Sequence, residues 1–469
     1  MREVEVAIIG AGSAGLYCMS QIKRFTEDFV LIDGGELGTT CARVGCMPSK
    51  VMIQVAEDFH RRTIFDREGI EGEEHLTINE EDAMEHVQDL RDTFVDQTLS
   101  NSIDLLPEEK LIESNVHFID TNTLETEDGE KIFAKKIIIA TGSRPIIPSS
   151  WEKFADKILT TDEVFELETL PKSVAVIGLG VIGLEIGQSL HRLGVNVTGI
   201  DQQEIICGLE DPDVNKTAIE IIGRELPLWL GEAADIKLLD NGCLQVSAGD
   251  KSVEVEKIFA SMGRRPNTDK LNLESTGLEI SDNGVPVFNA HTMQLGDSSI
   301  YIAGDCNAEK PILHEAGFEG RVAGYNIMQD NPVSFKHKTS LAITFCEPNI
   351  VTVGAKYSDL DESNTAIGEI KMAPVGRALI MGKNRGLIRL YADKKSGRLL
   401  GASLACVKGE NLGHLICWCI EMEMTVHQML RMPFYHPVIE EALQAALYNL
   451  KSKLDVDEPH WPLEIQPMK

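Results

Sequence analysis

One pattern occurs twice in this chain, and it limits most of what the chain can become. Near the start an apolar run, Val4-Glu5-Val6-Ala7-Ile8-Ile9, leads into Gly10-Ala11-Gly12-Ser13-Ala14-Gly15 and an amphipathic stretch from Leu16 to Phe25. A second apolar run, Phe29 to Ile32, then closes at Asp33. From Lys172 the same order returns: Ser173 to Ile177, Gly178-Leu179-Gly180-Val181-Ile182-Gly183, a helix from Leu184 to Leu193, a strand from Asn196 to Ile200, and Asp201. Gly10 lies 23 positions before Asp33, and Gly178 lies 23 before Asp201. In such a unit the glycines make the tight turn and let backbone amides approach a pyrophosphate. The helix N-terminus favours its charge, and the acid accepts hydrogen bonds from a ribose. A lone glycine turn is weak evidence; two, each with strand, helix and acid, predict two dinucleotide-binding lobes and therefore two dinucleotides. Even the closing strand recurs. Ile137 to Ala140 ends in Thr141-Gly142-Ser143-Arg144-Pro145, and Phe259 to Met262 runs into Gly263-Arg264-Arg265-Pro266.

At 469 residues the chain is too long for one core, since domains run to ~100–200 residues. The expected fold is α/β, with two Rossmann-like dinucleotide-binding domains followed by an α+β domain. The boundaries expected are 1–148 for the first lobe, 149–272 for the second, 273–338 for a segment returning to the first, and 339–469 for the last. Apolar positions at Ala83, Val87, Leu90 and Phe94 predict a helical core face. Two helices are expected there, from Val51 to about residue 66 and from Glu80 to about residue 106. From Ser340 β-branched alternation takes over (Ile350, Val351, Val353; Leu387, Ile388, Leu390), with late helices from Asn411 and Val438 and an irregular tail beyond Asp455. A net charge of −30 argues against nucleic acid or an anionic membrane surface as partner. No apolar run is long enough to span a bilayer and no signal-peptide pattern opens the chain, so a cytoplasmic protein is expected.

Chemistry concentrates in Gly38-Thr39-Thr40-Cys41-Ala42-Arg43-Val44-Gly45-Cys46-Met47-Pro48-Ser49-Lys50. Two thiols so near a nucleotide turn suggest a redox pair, the alternative being two core cysteines. On a regular helix, residues five apart sit roughly 8–9 Å from each other, beyond the ~7 Å limit for a bridge. A disulfide therefore needs an irregular turn, which Gly45 permits. The other eight cysteines are expected to be reduced thiols. Cys417 and Cys419, two apart on a helix, point to different faces and predict core thiols rather than a metal site. Nothing predicts a metal. Near the end, Phe434-Tyr435-His436-Pro437-Val438-Ile439-Glu440-Glu441 predicts a helix with proline first and acids in its first turn. His436 with a carboxylate five residues on is either an acid/base pair or an ordinary cap.

These residues together resemble the class I flavin-dependent pyridine nucleotide–disulfide oxidoreductases, and among them the dihydrolipoamide dehydrogenases. The resemblance spans nearly the whole chain, including Gly304-Asp305 and the His-Pro-x-x-x-Glu near the end. It implies that Gly10, Gly12, Gly15 and Asp33 hold the adenosine diphosphate of FAD, with Gly142, Lys50 and Asp305 also on the flavin nucleotide. Gly178, Gly180, Gly183 and Asp201 would hold NAD, and Glu185 would pair with Lys50 near the nicotinamide. Cys41 would exchange with a small or protein-bound dithiol such as a lipoyl group, and Cys46 would face the flavin. His436, oriented by Glu441, would move the proton from across a homodimer whose interface is the last domain. Thr39, Arg43, Asp33, Val438 and His414 depart from the usual pattern without removing a reacting group. Alternatives are a related disulfide or quinone reductase, or an FAD-containing thiol sensor without turnover. A mercuric reductase would carry a cysteine pair near its C-terminus, which Asp455 to Lys469 lacks, and a soluble transhydrogenase needs no pair at all.

Overall fold

The computed structural model describes residues 1–456 together with Pro462, Leu463, Ile465 and Met468. The strand Arg2–Ile9 lies at the centre of the first sheet, parallel to Phe29–Ile32 on one side and Lys131–Ile139 on the other. Ile9 is opposite both Ile32 and Ile139, so three strands end level at the edge where Gly10 turns. Ile137, Ile138 and Ile139 are fully buried, as a parallel sheet covered on both faces requires. The strand Ile300–Ile302 joins this same sheet beside Lys131–Ile139, which brings Asp305 to that edge.

The second lobe repeats the arrangement in a five-stranded parallel sheet ordered Leu228–Leu230, Asn196–Asp201, Ser173–Ile177, Lys257–Ala260, Ile158–Leu159. Both lobe helices begin earlier than expected, at Ser13 and Val181, each directly after the middle glycine of its turn. In both, the middle glycine is the N-cap, so the last three residues of the glycine pattern already belong to the helix.

The last domain is a five-stranded antiparallel sheet ordered Leu341–Thr344, Asn349–Gly354, Leu399–Cys406, Leu387–Asp393, Thr365–Lys371. The helices Gly409–Glu421 and Glu440–Lys451 pack on it. A side chain at Gly368 would come within 2.3 Å of Leu450, so the strand needs glycine for the helix to seat. The latter helix starts at Glu440, not at Pro437: the chain from His436 to Ile439 is held outside it, with Val438 N–H donating to Glu441 Oε2 at 3.0 Å. The buried Asp211 accepts from Arg389 Nη1 (2.8 Å) and Tyr391 OH (2.6 Å), tying the second lobe to this sheet. The tail expected to be irregular lies largely outside the described residues. Among the described residues no helix is long and apolar enough to cross a membrane.

Candidate active site

The two glycine turns are alike atom by atom. Gly10 and Gly178 have φ of 109° and 94°, and a Cβ on either would collide with the carbonyl oxygen of Ala140 or Ser261 at 2.2 and 2.4 Å. A Cβ on Gly15 or Gly183 would lie 1.9 Å from the oxygen of Gly10 or Gly178, so both helices need glycine to pack on their turns. Gly12 and Gly180 differ: a Cβ there meets no protein atom within 4 Å. Glycine at these two positions keeps open the space directly before a helix N-terminus, which fits a bound pyrophosphate. The acids also match. Asp33 Oδ2 accepts from Ala11 N at 2.6 Å and Asp201 Oδ2 from Leu179 N at 2.6 Å, while their Oδ1 atoms take Gly35 N (2.8 Å) and Gln203 N (2.9 Å). Each aspartate thus holds the glycine turn it faces.

Between the lobes lies the cysteine stretch. The helix Thr40–Val44 stops, Gly45 takes φ −137° and ψ −122°, and a second helix runs Cys46–His60. A Cβ at Gly45 would press on Thr40 O at 2.8 Å. The break is what lets two thiols five apart meet, as the spacing required. All ten cysteines of the chain are free thiols here. The Cys41 thiol donates to Cys46, which raises Cys41 well above its ordinary value. The same hydrogen bond, with Lys50 one turn on, brings Cys46 down to about 7 against the opposing effect of burial. Cys46 is therefore the more acidic thiol of the pair, and it is exposed. Thr39 stands where the backbone has φ 68° and ψ 143°, a conformation suited to glycine, and its hydroxyl caps Ala42 N at 3.3 Å.

Cys46, Lys50 and Glu57 recur on one face of the second helix, since offsets of 4 and 11 residues return to nearly the same angle. Lys50 Nζ meets Glu185 Oε2 at 2.7 Å, and Lys383 Nζ bridges Glu57 (2.5 Å) to Glu347 (2.7 Å). Glu185 is 3% exposed, and its other oxygen accepts from Phe345 N at 2.8 Å. One carboxylate from the second lobe thus joins the cysteine helix to the last domain.

Asp305 follows the strand Ile300–Ile302 and accepts from Ser143 Oγ at 2.8 Å, one residue after Gly142 at φ 67°. The backbone of Gly304 and the side chain of Asn307 both donate to the buried Glu319 at 2.7 Å, which fixes the turn. Sequence reasoning missed Ser143, Arg264 and Glu319; only the repeated Gly-x-Arg-Pro signalled the first two. His436 Nδ1 meets Glu441 Oε1 at 2.8 Å, and that contact holds Glu441 below the usual carboxylate range. The His436 side chain is 80% exposed and faces solvent in the single chain. The Cys417 thiol donates to Thr339 O at 3.7 Å, and both Cys417 and Cys419 pack beside the last domain's core.

Two glycine turns of the dinucleotide-binding kind with a hydrogen-bonded thiol pair between them are the arrangement of a flavoprotein dithiol/disulfide oxidoreductase. The chain belongs to the pyridine nucleotide-disulphide oxidoreductases: that family's model matches residues 4–321, and its dimerisation-domain model matches 341–447, which supports a homodimer. It is 27% identical to dihydrolipoyl dehydrogenase of Bacillus subtilis over 471 aligned residues, covering 97% of this chain and 98% of that one. It is 28% identical to the dihydrolipoyl dehydrogenase of Halobacterium salinarum, covering 94% and 95%. Its fold is similar to LpdA of Mycobacterium tuberculosis (TM-score 0.82, 22% identity, 96% and 100% covered). The Cu(II) complex of RclA, an HOCl-induced flavoprotein disulfide reductase of Escherichia coli, is equally similar (TM-score 0.82, 21% identity, 96% and 99% covered). The cofactors of the family relatives, FAD and NAD(H), fit the two turns.

Proposed function

We propose that the chain oxidises a dihydrolipoyl dithiol to the disulfide and passes the two electrons to NAD+. The observation that carries this is the Cys41–Cys46 hydrogen-bonded pair, with Lys50 one helical turn beyond Cys46. Bound flavin supplies two-electron transfer between this pair and the nicotinamide. Gly10, Gly12, Gly15, Asp33, Gly142, Lys50 and Asp305 would hold that flavin nucleotide, and Gly178, Gly180, Gly183, Asp201 and Glu185 would hold the nicotinamide one.

Cys41 is the thiol that exchanges with substrate. It donates to Cys46 in the reduced pair, which is what raises its proton affinity, and in the oxidised pair its sulfur receives the substrate thiolate. The substrate dithiol, at an ordinary pKa of about 8.5, is mostly protonated near neutral pH and needs a base. His436 of the partner subunit would serve, and in each subunit Glu441 at Nδ1 leaves Nε2 as the proton acceptor. Relatives named dihydrolipoyl dehydrogenase over nearly their full length support the lipoyl group as substrate. Asp201 supports NAD over NADP: its carboxylate would repel a 2′-phosphate, and its neighbours Gln202, Gln203 and Glu204 bring no cation.

The test is steady-state turnover of the purified protein with lipoamide, glutathione disulfide and quinones, each with NADH and NADPH. Lipoamide with NADH should give the highest kcat/KM. A higher value with another acceptor would overturn the substrate, and equal or better use of NADPH would overturn the cofactor preference.

A further inference from the structure

The two Gly-x-Arg-Pro sequences end equivalent strands of the two lobes, yet in three dimensions they pair with each other. Ser143–Pro145 and Arg264–Pro266 form a two-stranded antiparallel ribbon, with Pro266 opposite Ser143 and Arg264 opposite Pro145. The variable residue of each sequence, Ser143 in one lobe and Arg264 in the other, meets its counterpart. Arg264 Nε donates to Ser143 Oγ at 2.8 Å, and Arg264 Nη2 donates to the Ser143 carbonyl at 2.7 Å. A serine hydroxyl has one hydrogen. With the arginine N–H occupying its oxygen, that hydrogen is committed to Asp305 Oδ2, 2.8 Å away. The direction of the chain is thereby fixed from guanidinium to hydroxyl to carboxylate.

We propose that Arg264 is a positioning residue that acts through Ser143 to hold the Asp305 carboxylate turned toward the flavin nucleotide. This rests on the assignment of Asp305 to that nucleotide. It also means that a residue of the nicotinamide lobe sets the flavin site, so the lobes are coupled across the ribbon. Burial lowers the proton affinity of the Arg264 guanidinium, while Asp305, Asp162 and Cys46 act in the opposite sense. Lysine cannot replace it, because a single ammonium lacks the two-pronged geometry that grips both the hydroxyl and the carbonyl of one residue.

The experiment is a double-mutant cycle on reconstituted protein, with Ser143→Ala, Arg264→Met and the double variant, measuring FAD dissociation and flavin midpoint potential. Hydrogen bonds to charged groups are typically worth enough to change affinity by about tenfold or more. Each single substitution should weaken FAD by about that factor, and Arg264→Met should make the potential more negative. The double variant should lose no more than the worse single one. Arg264→Lys should behave like Arg264→Met, and guanidinium ion should restore part of the affinity in Arg264→Ala. Losses that multiply in the double variant, a potential that does not move, or a wild-type-like Arg264→Lys would overturn the relay. Should Arg264→Met fail to fold, Ser143→Ala alone decides, because unchanged FAD affinity and potential there refute it. Wild-type protein that takes up no FAD would instead refute the flavin assignment itself.

Discussion

Lys50 faces two ways, and replacing it by methionine separates its effects. Four positions after Cys46 on one helix, it is a neighbour of that thiol by helical spacing, and it lowers the proton affinity of Cys46. An opposite charge at such range is worth about 1–3 pKa units. The low end applies here, since Lys50 is shared with Glu185 and its side chain is 34% exposed. A thiol with a pKa of about 7 is half ionised at pH 7. Raised by about one unit it is about one tenth ionised, a roughly fivefold loss of thiolate at that pH. Above its pKa the thiolate is present and below it is lost, so Lys50→Met moves the transition to higher pH. Glu185 acts on Cys46 in the opposite sense, so Glu185→Gln moves it lower. The assay is a pH titration of the long-wavelength absorbance that a thiolate gives beside flavin in the two-electron-reduced enzyme. Lys50→Met also strands the Glu185 carboxylate, 4% exposed in its side chain, at a cost of about 2 kcal/mol after discounting for the lysine's exposure. The double substitution Lys50→Met/Glu185→Gln should recover that stability. Midpoints that stay put in both single variants, or shift the same way, would refute the reasoning.

General-base assistance is typically worth ~100- to 10,000-fold, so His436→Gln should cut dithiol oxidation by that order, with a smaller loss for Glu441→Gln and little change in NADH oxidation by an artificial acceptor. After subunit exchange, His436→Gln mixed with Cys46→Ser should regain activity in verified heterodimers; a mixture that stays inactive would place the histidine's action within its own chain. Thr39→Gly relieves a backbone strain of about 1–3 kcal/mol and gives up a cap worth a few tenths relative to glycine, so it should raise the denaturation midpoint by the equivalent of about 1 kcal/mol. A less stable Thr39→Gly protein would show that the loop is not strained.

The glycine turns and their acids were legible in sequence because the geometry leaves glycine no substitute: at Gly10 and Gly15 a single methyl would strike backbone within 2.2 Å. The break at Gly45 was legible for a similar reason, from the reach of a disulfide. Thr39 showed only as a departure from a pattern; its positive φ explains why the pattern favours glycine. The Lys50–Glu185 contact joins residues 135 positions apart and has no local signature, so only resemblance suggested it. The ribbon of the two Gly-x-Arg-Pro segments was visible as repetition but not as pairing, because three-residue strands carry too short an alternation to announce a partner. The helix starts at Ser13 and Val181 were placed late because the glycine pattern reads as one turn, whereas its last three residues already belong to the helix. Pro437 was placed on a helix that begins at Glu440, because the sequence shows the acids of the first turn but not that the Glu441 side chain holds His436 and Val438 outside the helix.

The passage of electrons through Cys41 and Cys46 is tested most directly by NADH-dependent lipoamide reduction in wild-type and Cys46→Ser proteins at equal FAD content. The wild-type protein should turn over, whereas Cys46→Ser should retain its flavin and its NADH oxidation with an artificial acceptor but reduce no lipoamide. Wild-type rates of lipoamide reduction in Cys46→Ser would contradict the thiol pair as the route.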